Sequence, residues 1–483
     1  MDTQMNWFAA FVLLSWPLVS FFLYSTQPLN RATLWTILGG EFLLPVGSLG
    51  KIASGIPPID KVFIPNIAAL LGCVILRRQP LRLFSRFGIA ELFLSMLIVG
   101  PFITSVLNDD MVFTGGLPKP ALTLYDAASS VEGALVMLLP FFVGRQFLRK
   151  AEDSEEFLRV LVIAELFYSI LTLVEIRLSP QLHYWFYGYP ASDFLQQIRS
   201  GGYRPMVFIG HGLITAFFLM AAVLAATTLW RVRVRVAPAP PAAVTGYLSV
   251  ILVLSHSLGA LTYAVGLSPV ILIAKARLQM RLAVVLATFA LLYPMTRMMD
   301  LIPIDTLLSW SGSYNADREQ SLGFRFMQEG ELLKRASERI VFGWGGYSRS
   351  HVYETDSGKD LSVTDGIWII VLGTLGVFGF IGLFGLLTLP IYNLRGVFSL
   401  ATSEKDRLIL SATALMMAIN VVDLLPNSPL TPWTWLMCGS LLGRSEALRA
   451  NAAARRGLAR NKRQQHGSMP LPARRAGFDG SGN

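Results

Sequence analysis

The chain reads as an all-α, polytopic integral membrane protein with about twelve or thirteen transmembrane helices and one large, partly helical loop. Three observations carry this reading. Hydrophobic residues make up 53% of the 483 and charged residues only 15%, with a mean hydropathy of +0.52, whereas soluble domains run near ~25% charged. Apolar runs near the roughly 17–25 residues that a span needs recur along the whole length. Hydropathy breaks at length only once, from Asp300 to Asp365, and turns apolar again from Gly366 to Pro390.

Taken in order, the spans are expected at Trp7–Tyr24, Thr33–Leu49, Phe63–Leu76, Gly88–Leu107, Leu124–Phe147, Phe157–Arg177 and Met206–Trp230. They continue at Val244–Leu254, Leu258–Ala274, Leu282–Met298, Gly366–Leu389, Leu408–Leu425 and Thr431–Leu442. The first has no basic segment before it and no small-residue cleavage site after it, so it reads as a retained helix rather than a signal peptide. Cys73 and Cys438 both fall inside apolar runs and read as buried small hydrophobes. No disulfide framework, CxxC pattern or acidic cluster with metal-like spacing is present, so neither metal nor cofactor is expected. The chain divides into 1–299 (about ten spans), 300–365 (the large loop), 366–443 (the last spans) and 444–483 (a basic tail).

Charge orients the spans. Clusters at Arg77/Arg78/Arg82/Arg86, Arg145/Arg149/Lys150, Arg231/Arg233/Arg235 and Lys275/Arg277/Arg281 share one side with the tail if the spans alternate, as the positive-inside rule requires. From Arg444 onwards nine Lys/Arg stand against two acids. That tail explains most of the net +10 and serves as a cytoplasmic anchor; nucleic-acid binding is not expected. The tail has no periodic apolar face after about Leu458 and reads as disordered. The large loop carries eleven acids and seven Lys/Arg, so nothing opposes its export. The scheme leaves the N-terminus on the loop's side.

Chemistry is expected in the loop. Asp317 to Ile340 has helical spacing, with Leu322, Phe326, Leu333 and Ile340 on one stripe and Arg318, Arg325 and Arg339 on a neighbouring flank. Arg325 borders the stripe and should point inwards. Arg335 and Arg339 read more simply as a solvated face with Glu–Arg pairs such as Glu331–Arg335. An arginine fork suits a pyrophosphate because it stays charged and donates two hydrogen bonds at once. Next comes Gly343-Trp344-Gly345-Gly346-Tyr347-Ser348-Arg349-Ser350-His351. Its glycines permit close backbone approach, and its aromatics suit either a sugar ring or the lipid interface. Asp365 enters the next span through Leu375-Gly376-Val377-Phe378-Gly379. It is either an N-cap or an acid facing a cavity, able to act as a general base.

Two further stretches belong to the same face. Ser179–Tyr203 contains His183-Tyr184-Trp185-Phe186-Tyr187-Gly188-Tyr189, an interfacial aromatic belt in the simpler reading. It leads into Gly202-Tyr203-Arg204-Pro205 and into His211, unusual within an apolar run and read first as a satisfied core histidine. Ser255-His256-Ser257-Leu258-Gly259-Ala260 then joins two short spans.

The order of these pieces resembles the O-antigen polymerase and ligase family of polytopic bacterial glycosyltransferases, best from about Tyr203 to Leu389. The residues carrying it are the Arg204-Pro205 entry, the Ser255–Ala260 turn, and a large loop with Gly-x-Arg at Gly323–Arg325 and Ile340-Val341-Phe342-Gly343-Trp344-Gly345-Gly346. The stretch Ile56-Pro57-Pro58-Ile59-Asp60-Lys61 is similar to exopolysaccharide-linked members. Two positions depart: Leu258 stands where the family usually has Arg, and Thr364-Asp365 where it often shows His-Asn. The resemblance implies metal-independent transfer of a glycan from undecaprenyl diphosphate to an acceptor hydroxyl at the periplasmic face of a bacterial inner membrane. The lipid bilayer, lipid-linked donor and acceptor glycans, and a chain-length regulator protein would be its partners. It places Arg325 and Arg204 on the diphosphate and Asp365 or His351 as the base. Arg318, Arg349, His211, Trp344 and Tyr347 would be further contacts to the glycan or diphosphate. Polymerisation of repeat units is favoured over ligase-type transfer, because the ligase-type histidine is absent. A lipid-linked glycan flippase and a non-catalytic assembly partner remain alternatives.

Overall fold

A computed structural model describes residues 5–50, 57–80, 87–199, 202–313 and 316–467. It is 71% helical with almost no strand. Each of the thirteen apolar segments becomes a helix: α1 (Trp7–Thr26), α2 (Leu29–Leu43), α3 (Phe63–Leu71, continued by a π-helical turn to Leu76), α4 (Ile89–Val106), α5 (Leu124–Phe147) and α6 (Ala151–Leu178) come first. After the short α7 (Leu182–Tyr187) follow α8 (Gly212–Arg231), α9 (Pro241–Leu254), α10 (Leu258–Ile273) and α11 (Ala276–Met298). The loop contributes α12 (Ile304–Gly312) and α13 (Ala316–Ser337), and the chain closes with α14 (Ile367–Val397), α15 (Glu404–Asp423) and α16 (Pro432–Gly467).

Seven of these helices are long and apolar enough to cross a membrane, and three more are apolar but shorter. The chain is an all-α polytopic membrane protein. On α1, Trp7, Phe11, Leu18 and Phe22 are all exposed, a pattern water would penalise and lipid would not.

The bundle has two chemically distinct ends. At one, Arg31 pairs with Glu156, Arg145 with Glu91 and Glu446, Lys405 with Glu155, and Arg444 with Asp406, at 2.6–2.8 Å. Arg231 donates there to Ala274 O at 2.7 Å. At the other end, Asn6 donates to Tyr187 O, Lys61 to Phe208 O and Ile209 O, and Thr104 to Phe342 O at 2.6 Å. The described basic clusters thus gather at one end, and α1 begins at the end that carries the large loop. Arg82 and Arg86 lie outside the described residues.

Four expectations need correction. α16 does not stop at Leu442 or fray at Leu458 but runs on to Gly467; residues 468–483 lie outside the described residues. α8 starts at Gly212 rather than Met206, because Glu175 Oε2 accepts from the amides of Met206 and Val207, both at 2.7 Å, and ties that stretch into a turn. The aromatic belt splits: Tyr184, Trp185 and Phe186 face outwards, but His183, Tyr187 and Tyr189 are buried. Both tyrosine hydroxyls donate to the α2 end, at Leu43 O and Val46 O, 2.6 Å each.

The fourth concerns α14, which is broken at Gly376 (φ +65°, ψ −166°). The loop fills the break with its own backbone. Trp344 N and Gly345 N donate to Gly373 O and Thr374 O, while Val377 N and Phe378 N donate to Ile340 O and Val341 O, at 2.8–3.1 Å. Every backbone group freed by the break at these positions is satisfied, the condition for irregular backbone at membrane depth. A Cβ on Gly376 would stand 2.3 Å from Val341 O, and one on Gly343 2.4 Å from Thr374 C. The Gly-rich motif is therefore a plug in the broken helix.

Candidate functional site

α13 lies across the loop end of the bundle, held from below by its Glu329. The Glu329 carboxylate accepts from Tyr293 Oη at 3.1 Å and pairs with Arg297 Nε at 3.4 Å, both on α11. Arg297 also donates to Phe326 O at 3.3 Å. Burial pushes the Glu329 carboxyl up from its ordinary range, against the lowering effects of Tyr293 and Arg297. One helical turn earlier, Arg325 reaches the opposite wall and pairs with Asp365 at 3.4 Å. Asp365 is not the cap of α14: the cap position is Gly366, which has no side chain to offer. Both ion-pair side chains remain about 40% exposed (38% and 41%), so this pair can open without leaving a buried charge.

Between α13, α10, α11, α14 and the end of α15 lies a cavity of about 230 Å³. Arg325, Asp365 and Glu329 supply its charges, Tyr263 and Tyr293 its hydroxyls, and Phe289, Ile369 and Val422 much of its apolar wall. The sequence expectation that Arg325 points inwards and Asp365 faces a cavity describes this arrangement. Glu329, Tyr293, Tyr263 and Arg297 were not singled out. Tyr263, Tyr293 and Arg297 sit within or at the ends of spans and Glu329 within α13, where a lone polar residue gives no spacing signal.

The other expected site residues are elsewhere. Arg349 is fully buried and its fork is consumed by protein: Nη1 donates to Asp110 O and Pro120 O, both at 2.9 Å, and Nη2 to Asp110 Oδ1 at 3.0 Å. It clamps the segment between α4 and α5 and presents nothing to a glycan. Trp344 is buried, donates to Arg335 O at 2.8 Å, and lies under the guanidinium carbons of Arg335 (3.5 Å) and Arg339 (4.3 Å). It is a packing post, not a sugar platform. Arg339 also pairs with Asp110 at 2.9 Å and, with Arg349, holds that carboxyl below the usual range. Arg335 pairs with Glu338 and Lys334 with Glu331, in place of the expected Glu331–Arg335 pair.

His351 is bonded to Asp360 at 2.7 Å, and Tyr347 donates to Asp126 at 2.6 Å; neither lines the cavity. His211 caps α8, accepting from Leu213 N at 3.2 Å. Arg204 is buried beside Gly212, where a Cβ would come within 2.3 Å of Arg204 Cγ, and it too is outside the Arg325 cavity. The side chain of Arg318 lies outside the described residues. No group of three or more potential metal ligands occurs among the described residues. The chain matches no protein-family model and no curated protein.

Proposed function

We propose that the cavity under α13 is a glycosyl-transfer site, at which glycan carried on undecaprenyl diphosphate is passed to the hydroxyl of another glycan. Elongation of lipid-linked repeat units into a polysaccharide is the form we favour. The observation that carries it is the Arg325–Asp365 pair, a half-exposed, openable cation at the loop-end mouth of a cavity whose remaining wall is largely apolar. A lipid-linked diphosphate has the same division: an anion at the interface and an apolar chain in the bilayer.

Arg325 would exchange Asp365 for the diphosphate. The exchange gains a bidentate partner, and as the glycosyl bond breaks Arg325 neutralises the charge that develops on the leaving oxygen. Asp365 keeps Arg325 extended across the mouth beforehand. Glu329, anchored by Tyr293 and Arg297, fixes the helix that carries it. The loop end would face the periplasm and the basic end the cytoplasm, in a bacterial inner membrane.

The test is purified protein in proteoliposomes with a labelled undecaprenyl-diphosphate oligosaccharide. Formation of a longer covalent product by the wild type, and its loss in Arg325→Ala, supports transfer. Translocation of labelled lipid without covalent change would replace transfer with a flippase. Transfer to a non-lipid acceptor alone would indicate the ligase-type reaction.

A further inference from the structure

A second, much smaller cavity lies on the other side of the α15 end. Val422, Leu425 and Pro426 line the cavity under α13, while Asn420, Asp423 and Asn427 line a space of about 10 Å³ against the starts of α8 and α16. That is room for one water-sized atom. Thr431 and Thr434 complete its polar wall. Its side chains hold one another in place. Asn420 Nδ2 donates to Thr434 Oγ1 at 3.0 Å, and the Thr431 and Thr434 hydroxyl oxygens are 3.2 Å apart. Asn427 Nδ2 donates to Asp423 Oδ1 at 3.0 Å.

The groups left over in this space suit a cation. Asn420 is buried, and its Oδ1 accepts no hydrogen bond. The helix-start amides that could serve an anion are already spent. Leu213 N donates to His211 Nδ1 at 3.2 Å, Ile214 N to His211 O at 3.0 Å, and Thr434 N to Thr431 Oγ1 at 3.3 Å. Asp423 is the one charged residue in the lining. It stands at the C-terminal end of α15, where the helix dipole favours positive charge. We infer that this cavity binds one monovalent alkali cation, with oxygens supplied by Asn420, Asp423, Thr431 and Thr434. An all-oxygen donor set suits a hard cation. One carboxylate balances a single positive charge, whereas Ca²⁺ takes roughly 6–8 oxygens, several of them from carboxylates. The size of the space favours Na⁺ over the larger K⁺.

The ion ties α15 to α16. It also steadies the start of α14 beside Asp365, because the turn after Asp423 caps that helix: Leu424 O and Asn427 O both accept from Ile367 N at 3.1 Å. Three of the four donors are an amide and two hydroxyls, so no acidic spacing marks the site in the sequence.

The experiment is equilibrium binding of radioactive sodium to the full-length protein in detergent, with choline chloride holding ionic strength constant, and thermal unfolding of the same samples. The wild type is expected to bind one Na⁺ per chain saturably, and to release it to unlabelled Na⁺ more readily than to K⁺. It should also unfold at a higher temperature in NaCl than in choline chloride, since a ligand bound only by the folded state stabilises it. Asp423→Asn and Thr434→Val are expected to weaken binding about tenfold or more. Glu354→Gln, which removes an exposed carboxylate of the large loop, should bind as the wild type does. Should Asp423→Asn fail to accumulate, Thr434→Val, which keeps the shape and removes a hydroxyl, decides. No bound Na⁺ and equal unfolding temperatures in the two salts would overturn the site and leave the cavity to water. Binding undiminished in Thr434→Val would put the cation elsewhere and overturn it as well. None of these outcomes bears on the transfer reading, which the proteoliposome assay decides separately.

Discussion

Replacing Arg349 with Ala should unfold this protein more readily than any change at the cavity mouth. The Arg349 side chain has no solvent exposure, and Nη1 alone serves the carbonyls of Asn108, Asp110 and Pro120 at 2.9–3.3 Å. Removing one partner of a buried charged network costs about 3–5 kcal/mol. Asp110 is half-exposed (47%), so water can rehydrate its carboxylate, which puts the loss near the lower figure, about 3 kcal/mol. Arg349→Lys keeps the charge but cannot reproduce the fork and should fall between. Arg325→Ala breaks a pair whose side chains are 38% and 41% exposed, and such pairs contribute under about 1 kcal/mol. The assay is thermal unfolding of the detergent-purified proteins by intrinsic tryptophan fluorescence. An Arg349→Ala protein as heat-stable as the wild type, yet deficient in binding lipid-linked glycan, would refute the structural role and return Arg349 to the binding site.

Three further outcomes are expected. Gly376→Ala forces a side chain into a left-handed backbone conformation costing about 1–3 kcal/mol, with its Cβ 2.3 Å from Val341 O; limited proteolysis should show the plug segment 340–346 released. Trp344→Ala should cost about 3–5 kcal/mol as a large-to-small change and loosen Arg335 and Arg339, while Trp344→Phe should retain most of the stability in the same unfolding assay. His183 is buried with Nε2 accepting from Val46 N at 3.1 Å, and burial lowers its pKa from 6.5 to about 4. The folded state binds the proton less readily than the unfolded one. Stability is therefore fully present above pH 6.5 and falls as pH drops towards 4, by about 3 kcal/mol. Unfolding temperatures across that window should show the fall in the wild type and a smaller one in His183→Gln.

The helices were legible because lipid demands long apolar runs, and every such run expected from the sequence became a helix. Their ends were less legible. Met206–Gly210 is apolar enough to extend α8, but Glu175 and Tyr168 on α6 take its amides instead. Gly376 broke a helix that hydropathy reads as continuous; the four hydrogen bonds that compensate come from residues about 30 positions earlier. At the site, Arg325 and Asp365 were recognisable because each is a charge at the border of an apolar stretch. Arg349 and Trp344 looked equally suited to binding, and only their buried partners distinguish a clamp from a ligand contact. Tyr263, Tyr293 and Glu329 belong to three helices and meet only in the fold.

The most direct test of the account is the size of glycans on undecaprenyl diphosphate in a strain lacking this protein, complemented with wild type or Arg325→Ala. The account expects single repeat units to accumulate on the lipid without the protein, long polymer to return with the wild type, and Arg325→Ala, present at normal levels in the membrane, to leave the single units in place. Long polymer in the deletion strain, or full restoration by Arg325→Ala, would contradict it.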